Sequence, residues 1–283
     1  MKVSIIIPAY NSHKTIARCI ESFLSQDYYS FEIIVVDSSP NDLGSQELEN
    51  VKDKIQYFKL NKRMFPFEAR SYGLNYASGD LIVHTDPDIY APSSWVNEMV
   101  CSYQKHGGII CGGLRNFGNN WLNWGIHITK FDLWLPSEKE KSIPICPSAV
   151  MLLSKRLFDE LGGFGDSEFM GDTWLSLNAI ERRKQITFNP KAWVYHHHIS
   201  TFSQFLKERY NRAYMFRNLP KCGTYNSLKG LLNLCPRLIK LMLRSFWMCF
   251  NARLLATYFL TLPLIFAGHS AWIAGELKFY LKQ

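Results

Sequence analysis

Four short apolar segments in the first third of the chain constrain its fold more than any other feature. They cover residues 3–7, 32–36, 55–58 and 81–85. Each has the β-branched and aromatic composition of a buried strand, and helical patterns lie between several of them. After the first segment, Pro8 ends the strand, and Asn11 and Ser12 are alternative N-caps for the next helix. Because buried strands that alternate with helices form parallel sheets, the sequence predicts an α/β fold with a mostly parallel sheet.

The fourth segment brings two carboxylates, those of Asp86 and Asp88, to its carboxyl end. Ligands of parallel α/β sheets bind outside the carboxyl ends of the strands, and Asp37 also ends a predicted strand. Mg²⁺ or Mn²⁺ held by one or two carboxylates bridges substrate phosphates and neutralises a leaving diphosphate. Two acids in a turn also occur in ordinary solvated loops. The spacing alone therefore leaves a metal site and a solvated turn open.

The second half of the chain has a different pattern, without an internal repeat or a low-complexity tract. In chain order we predict a loop-rich stretch at 112–147, a strand at 149–153, helices at 155–161 and 172–182, a strand ending at 196–198 and a helix at 202–217. The last helix carries Lys207, Arg209, Arg212 and Arg217 with tyrosines between them. This composition suits phosphate on a donor or lipid carrier; no recognisable nucleic-acid-binding motif accompanies it, so no nucleic-acid partner is expected.

The C-terminal part is apolar and favours contact with a membrane. Residues 254–275 contain no Asp, Glu, Lys or Arg, which is about one bilayer length, although Pro263 and His269 count against a full crossing. Residues 231–250 are apolar except for basic residues at helical spacing, namely Arg237, Lys240 and Arg244. We expect these cations and Arg253 to lie at lipid headgroups and favour a helix pair that dips into one leaflet. A buried helical subdomain or an oligomer contact is the alternative.

Charge and cysteine content indicate the cellular compartment and the kind of partner. The chain has 32 Lys and Arg against 24 Asp and Glu, a net charge of +8 that favours anionic partners such as nucleotide phosphates or lipid headgroups. Its seven cysteines are scattered without CxxC spacing, which fits a reducing compartment and no zinc site. The N-terminal apolar run is too short for a signal peptide. We therefore expect the protein at the cytoplasmic face of a membrane.

Four motifs in fixed order resemble those of glycosyltransferase family 2. They are VSIIIPAYN at 3–11, EIIVVD at 32–37, ARSYGLNYASGD at 69–80 and DPD at 86–88. The resemblance covers roughly residues 1–217 and implies a GT-A (Rossmann-like) nucleotide-sugar-binding fold, a divalent cation and inversion at the anomeric carbon. It implies a transferase domain at 1–219, with a nucleotide-binding half at 1–111 and an acceptor-binding half at 112–219. From their composition, residues 220–283 are expected to form a C-terminal apolar, membrane-associated helical region.

The resemblance also implies roles for individual residues. Pro8, Ala9 and Tyr10 would line the nucleotide, and Asp37 would accept a hydrogen bond from the base. Arg70 would lie near the phosphates and the acidic motif, Asp86 would face the ribose and the cation, and Asp88 would ligate the cation. Taken singly, these positions also fit strand termination, a loop cap or a surface ion pair.

The general base and a histidine are expected from the second half. An inverting transferase needs a base that takes the proton from the attacking hydroxyl. The family's acidic pair corresponds here to Gly171 and Asp172, which leaves Asp172 as the base, and Trp174 stands where another acid is common. An N-cap role for Asp172 is compatible with catalysis. Among residues 196–198, all histidines, His196 is the first choice to complete the metal shell or touch the pyrophosphate; a structural histidine is the alternative.

Three functions compete at this point. The first is a transferase that moves a sugar from a nucleotide-sugar donor to a glycan or lipid-linked acceptor in cell-surface polysaccharide or glycolipid synthesis. The second is a catalytically inactive subunit that binds nucleotide or membrane, suggested by the missing acid at Gly171. The third is a sugar nucleotidyltransferase, which is disfavoured because no Gly-rich basic loop follows the first strand.

Overall fold

The computed structural model describes residues 1–137, 139–165, 170–198, 201–219 and 227–282. The chain divides into two compact units, a first unit of Met1–Leu114 with Lys139–His197 and a second unit of Arg115–Glu138 with His198–Gln283. This division differs from the predicted domain boundary at 219/220, because the helices at 121–131 and 202–218 pack against the long C-terminal helix. The functional division into a transferase domain and a membrane region remains a prediction.

The helices and strands follow the predicted order closely. The strands are β1 (Val3–Ala9), β2 (Phe31–Asp37), β3 (Gln56–Lys59), β4 (Leu81–Thr85), β5 (Ile89–Tyr90), β6 (Ile109–Asn116), β7 (Lys141–Ser142), β8 (Val150–Ser154) and β9 (Ile186–His196). The helices are α1 (Ile16–Leu24), α2 (Leu43–Glu47), α3 (Pro66–Leu74), α4 (Trp95–His106), α5 (Trp121–Phe131), α6 (Lys155–Glu160), α7 (Gly171–Glu181), α8 (Phe202–Asn218), α9 (Ser227–Leu232), α10 (Leu234–Asn251), α11 (Leu255–Leu260) and α12 (Leu262–Leu281). Short 3₁₀ turns occupy Glu49–Lys54 and Asp132–Trp134.

One sheet organises the strands in the order β3-β2-β1-β4-β8-β6-β9-β5, with β7 paired to β9. The neighbouring strands β3, β2, β1 and β4 are parallel, as the sequence predicts. Antiparallel pairing joins β4 to β8, β8 to β6 and β5 to β9. Helix α3 packs closely on β1 because Gly73 has no side chain; a Cβ atom there would lie 2.8 Å from Cγ2 of Ile6. The predicted α/β class is confirmed.

Two local predictions differ from the structure. Helix α1 begins at Ile16 with Thr15 as its N-cap, so neither Asn11 nor Ser12 caps it. Asn11 instead has a left-handed backbone with φ 53°, a conformation that asparagine tolerates, and turns the chain after β1. The stretch at 112–147 is not mainly loop, since it contains α5, whose N-cap Asn120 accepts a hydrogen bond from the backbone N–H of Asn123.

Buried ion pairs fix the helices of the second unit. The carboxylate of Asp132 is buried and accepts both guanidinium nitrogens of Arg244, at 2.9 and 3.1 Å. The buried carboxylate of Glu276 accepts from Arg217 at 2.9 Å and from Arg237 at 2.6 Å. Arg237 and Arg244 are therefore bound within the unit. Acidic residues distant in the sequence therefore supply partners that the sequence did not predict, and the position of these arginines at lipid headgroups stays a prediction.

The charge-free stretch at 254–275 does not form one continuous helix. It is divided between α11 and α12 at Thr261, and α12 packs against α5, α8 and α10. Across the described residues, the structure contains no helix that combines the length and apolar character required to cross a membrane.

Candidate functional site

The acidic motif, residues 86–88, lies between β4 and β5 at the carboxyl end of the parallel strands. Strand β5 pairs with β9 so that Ile89 lies opposite His196, and the backbone N–H of His197 donates to the carbonyl oxygen of Asp88 at 2.9 Å. This pairing brings His196 to the acidic motif from a distant part of the sequence. Ligand atoms of Asp86, Asp88 and His196 all lie within 4.8 Å of one another.

The three ligands form a donor set that fits a small divalent cation. The two aspartates are half-buried and His196 is buried, with its Nε2 atom 3.7 Å from Oδ1 of Asp88. Partly exposed carboxylates leave coordination positions open for phosphate oxygens, as Mg²⁺ and Mn²⁺ sites require. An imidazole ligand is more typical of a transition metal than of Mg²⁺. The sequence prediction that these residues share one place in the fold agrees with this geometry.

Arg70 fixes the orientation of Asp86. It lies on α3, is buried, and donates through Nη2 to Oδ1 of Asp86 and to the carbonyl oxygen of Thr85 at 3.1 Å. The guanidinium also lies over the ring of Phe67, 5.4 Å from its centroid. A charge-assisted hydrogen bond of this kind holds a carboxylate in one rotamer. Arg70 therefore stands beside the acidic motif, as expected from the sequence.

Two buried neutral groups lie behind the acidic motif, and neither was expected from the sequence. The thiol of Cys19 donates to the carbonyl oxygen of Asp86 at 3.5 Å, and burial, then the charge of Asp88, raises its pKa well above the usual value. His84 on β4 packs against Phe158 and Phe164. Burial, then the charge of Arg70, lowers the pKa of His84 far below its usual value. Both groups are therefore uncharged at neutral pH and add no charge beside the motif.

The predicted nucleotide-binding residues lie at the carboxyl ends of β1 and β2. Pro8 and Ala9 are buried in β1, and Tyr10 is exposed at its end. The guanidinium of Arg63, in the loop between β3 and α3, lies over the ring of Tyr10, 4.5 Å from its centroid, and 5.3 Å from that of Phe65. Arg63 was not identified from the sequence, because only the fold places its loop beside β1.

Asp37 is buried and already engaged by protein donors. Its Oδ1 accepts from the backbone N–H of Ser39 at 2.8 Å and from the Ser39 hydroxyl, and its Oδ2 accepts from the hydroxyl of Tyr57 at 2.6 Å. Lys59 lies 3.6 Å from the same oxygen. Burial, then the hydrogen bond to Asp37, raises the pKa of Tyr57 above its usual value. A nucleotide base that donates a hydrogen bond to Asp37 would have to share the carboxylate with these donors or displace them. The role of Asp37 in binding the base stays a prediction.

Asp172 lies in the first turn of α7 and is half-buried. The N-cap of this helix is Met170, so the alternative N-cap role for Asp172 is wrong. Its carboxylate accepts backbone hydrogen bonds from Ser148 at 3.2 Å and from Thr173 at 2.7 Å. The glycine before it has no room for a side chain, because a Cβ atom on Gly171 would lie 2.7 Å from Cγ of Phe67 and 2.8 Å from Cβ of Phe164. An acid at this position would require the two phenylalanine rings to move. Asp166 and Glu168, the acidic residues that most closely precede Asp172 in the sequence, lie outside the described residues.

The three consecutive histidines have different surroundings. His196 belongs to the acidic cluster, whereas Nδ1 of His197 lies 3.2 Å from the hydroxyl of Tyr90. Nε2 of His198 lies 3.1 Å from Nδ1 of His127 within the second unit. Of the three, only His196 is found among the potential metal ligands of the described residues.

Comparison with known proteins identifies the family. Residues 4–162, more than half of the 283-residue chain, match the sequence profile of Glycosyl transferase family 2. Glycosyltransferase AglE of Haloferax volcanii is 22% identical over 218 residues, which cover 74% of this chain and 70% of AglE. A shorter match, 32% identical over 91 residues, covers 31% of this chain and 29% of the GalNAc(5)-diNAcBac-PP-undecaprenol beta-1,3-glucosyltransferase of Campylobacter jejuni.

The fold comparison agrees with the sequence comparison. The mannosyltransferase PcManGT from Pyrobaculum calidifontis, solved in complex with GDP-Man and Mn²⁺, superposes with a TM-score of 0.65 at 19% identity. The similarity covers 100% of this chain and 88% of PcManGT. On the family profile, the fold and the arrangement of its strands, the chain belongs to glycosyl transferase family 2 and is a glycosyltransferase with a GT-A fold.

Proposed function

We propose that the chain is an inverting, metal-dependent transferase that uses a nucleotide-diphosphate sugar as donor. The acceptor is a hydroxyl of a glycan or of a lipid-linked saccharide, and the reaction serves cell-surface polysaccharide or glycolipid synthesis at the cytoplasmic face of a membrane. The observation that carries this proposal is the cluster of Asp86, Asp88 and His196 at the carboxyl edge of the sheet. Arg70 beside it supplies a buried positive charge.

The cluster suits departure of a nucleoside diphosphate. A bound Mn²⁺ or Mg²⁺ supplies positive charge to the leaving diphosphate, and Asp86, Asp88 and His196 are the residues that would hold it. Arg70 keeps the carboxylate of Asp86 in place through its own hydrogen bond. Because both aspartates are half-buried, their carboxylates are shielded from water on one side while phosphate can approach from the other. The buried thiol of Cys19 and the buried imidazole of His84 do not belong to the group of possible metal ligands.

Asp172 is proposed as the general base. The backbone N–H groups of Ser148 and Thr173 hold its carboxylate in one orientation at the start of α7. An ionised carboxylate there takes the proton of the acceptor hydroxyl as the oxygen attacks the anomeric carbon. Attack from the face opposite the leaving diphosphate inverts the anomeric configuration. The packing of Gly171 against Phe67 and Phe164 is consistent with a site that works with one acid where relatives have two.

The name of one similar protein supports a lipid-linked acceptor. The Campylobacter jejuni relative is named for a polyprenyl-diphosphate-linked acceptor, and PcManGT was solved with a nucleotide sugar and Mn²⁺. The net charge of +8 is consistent with work near an anionic surface.

A panel of nucleotide sugars tests the proposal. With Mn²⁺ present and acceptor absent, we expect slow release of a nucleoside diphosphate from one donor, measured by coupled assay or chromatography. Release of pyrophosphate from a nucleoside triphosphate and a sugar phosphate would instead support the nucleotidyltransferase. Tight nucleotide binding without turnover of any donor, with or without lipid-linked acceptors, would support the inactive subunit and overturn the proposal.

Arg63→Ala is expected to weaken binding of the nucleoside diphosphate by about tenfold while turnover of bound donor changes little. The substitution removes both a positive charge beside the nucleotide edge and the guanidinium that packs on Tyr10. Titration calorimetry with UDP and GDP measures the effect. Lys62→Ala is the matched control, since it removes an exposed charge from the same loop. Equal losses in both variants would show that only the overall charge of the loop matters.

A further inference from the structure

Helix α10 has an exposed apolar face. Ile239, Leu243, Trp247 and Phe250 are 61%, 60%, 57% and 50% exposed. Their spacing of four, four and three residues places them on one side of the helix. We call these four residues the apolar face of α10.

The opposite side of α10 already packs against the second unit. Cys249 is part of a buried cluster with Ile128, Tyr258 and Ile265, and Met242 packs against the same cluster. A helix that packs on one side normally presents polar residues to water on the other, and contiguous exposed apolar residues mark an interaction site. The internal core therefore does not account for the apolar face.

The exposed apolar surface continues onto the neighbouring helices. Phe259 of α11 is exposed, and its ring centroid lies 6.3 Å from that of Phe246 on α10. Leu260 of α11 and Phe266 of α12 are also exposed. The second unit thus presents aromatic and aliphatic side chains from three helices to its surroundings.

The charge of this region is of one sign. Between Arg209 and Gly275 the sequence has no Asp or Glu. Arg237 pairs with Glu276, which also pairs with Arg217, and Arg244 pairs with Asp132; both carboxylates are contributed from outside this stretch. Lys240 is exposed and lies one position after Ile239 on the same side of α10. Among the basic residues of α10, Lys240 therefore remains for an external anion, and it lies at the border of the apolar residues.

We propose that the apolar face of α10 lies in the headgroup region of an anionic lipid leaflet, with the helix axis parallel to the membrane surface. Amphipathic helices bind in this way when large apolar side chains enter the acyl boundary and basic residues contact anionic headgroups. The side chains that enter the leaflet are Leu243, Trp247 and Phe250, with Lys240 at the headgroups. This inference rests on the proposed function in one respect, because the membrane contact serves the reaction only if the acceptor is lipid-linked.

A lipid surface explains the charge pattern better than a second copy of the chain. A symmetric dimer through this face would bring the same surface of each copy together. The Lys240 side chains of the two copies would then approach one another, with no carboxylate in the segment between Arg209 and Gly275 to offset them. Like charges across an interface oppose association. An anionic leaflet supplies the missing negative charge.

Flotation of the full chain with vesicles tests the inference. We expect the protein to float with vesicles of equal parts phosphatidylcholine and phosphatidylglycerol, and to bind pure phosphatidylcholine vesicles more weakly. Leu243→Ser and Trp247→Ser should each lower partitioning by about tenfold, because each removes a large side chain from the leaflet. Lys240→Gln should reduce the preference for anionic vesicles and leave binding to neutral ones unchanged.

Tyr29→Ser is the matched control, because Tyr29 is an exposed aromatic residue of the first unit and should not affect flotation. Circular dichroism and donor hydrolysis should be unchanged in every variant, since the side chains are exposed and lie outside the acidic cluster. Flotation that survives both serine variants would overturn the inference. So would a dimer that Trp247→Ser dissociates in the absence of flotation. If the wild-type protein floats with the vesicles but turns over no donor, this result would contradict the proposed function and leave the inference standing.

Discussion

Asp88→Asn is expected to remove nearly all sugar transfer, a loss of at least about 10³-fold, while the protein still folds. Asparagine has the size of aspartate but no negative charge, so the cluster with Asp86 and His196 loses half of its carboxylate charge. A leaving diphosphate without a cation develops negative charge that the protein alone does not match. The measurement is initial rate of nucleoside diphosphate release with Mn²⁺, together with cation binding to the donor-free protein.

Two controls separate this effect from a general loss of charge. Asp42→Asn removes an exposed carboxylate of the same unit outside the acidic cluster and should leave both activity and cation binding unchanged. Excess chelator should abolish transfer by the wild type, and added Mn²⁺ should restore it. Full activity in chelator, or wild-type activity of Asp88→Asn, would contradict the metal assignment.

The acidic motif could be identified from the sequence because the strand and the two aspartates that define it are close together in the chain. An apolar strand followed by Asp86 and Asp88 specifies both the strand end and the ligand chemistry within eight residues. His196 is different, because its place beside Asp88 depends on the pairing of β5 with β9. Resemblance to the family suggested a histidine there, but no spacing in the sequence measures that approach.

Residues that complete the site through nonlocal contacts were not predicted. Cys19 reaches the acidic motif from α1, and Arg63 reaches Tyr10 from the loop after β3. Tyr57 binds Asp37 across neighbouring parallel strands. These contacts depend on strand order, which apolar periodicity does not specify. Their residue types also have ordinary uses elsewhere, so no signal in the sequence singled them out.

In the second unit, contacts between distant residues also determine features of the helices that the sequence did not predict. Helix α5 was missed because its aromatic and β-branched composition is not that of a strong isolated helix. Its position depends on packing: a Cβ atom on Gly125 would lie 2.5 Å from Cβ of Leu264 on α12, so the two helices approach closely at a glycine. Periodicity placed Arg237 and Arg244 on one helix, but it could not show their partners, Glu276 and Asp132, which lie 39 and 112 positions away.

Asp172→Asn is expected to lower kcat by about 10²-fold to 10⁴-fold and leave binding of the nucleoside diphosphate close to normal. The asparagine oxygen still accepts from the backbone N–H of Ser148 or Thr173, so the start of α7 should keep its structure. What is lost is the charge that takes the acceptor proton. A fall in kcat with little change in KM for the donor marks an interaction made only in the transition state.

Asp159→Asn is the control for this variant, because Asp159 is an exposed carboxylate on the neighbouring helix α6. It should keep wild-type kcat. The comparison also decides between a base and a purely structural residue, because an asparagine that keeps the backbone hydrogen bonds from Ser148 and Thr173 would in the second case leave turnover unchanged. Wild-type turnover of Asp172→Asn would therefore move the search to Asp166 and Glu168. No side chain at Gly171 can take over the role without displacing Phe67 and Phe164, so within the family's acidic pair the base is Asp172 or absent.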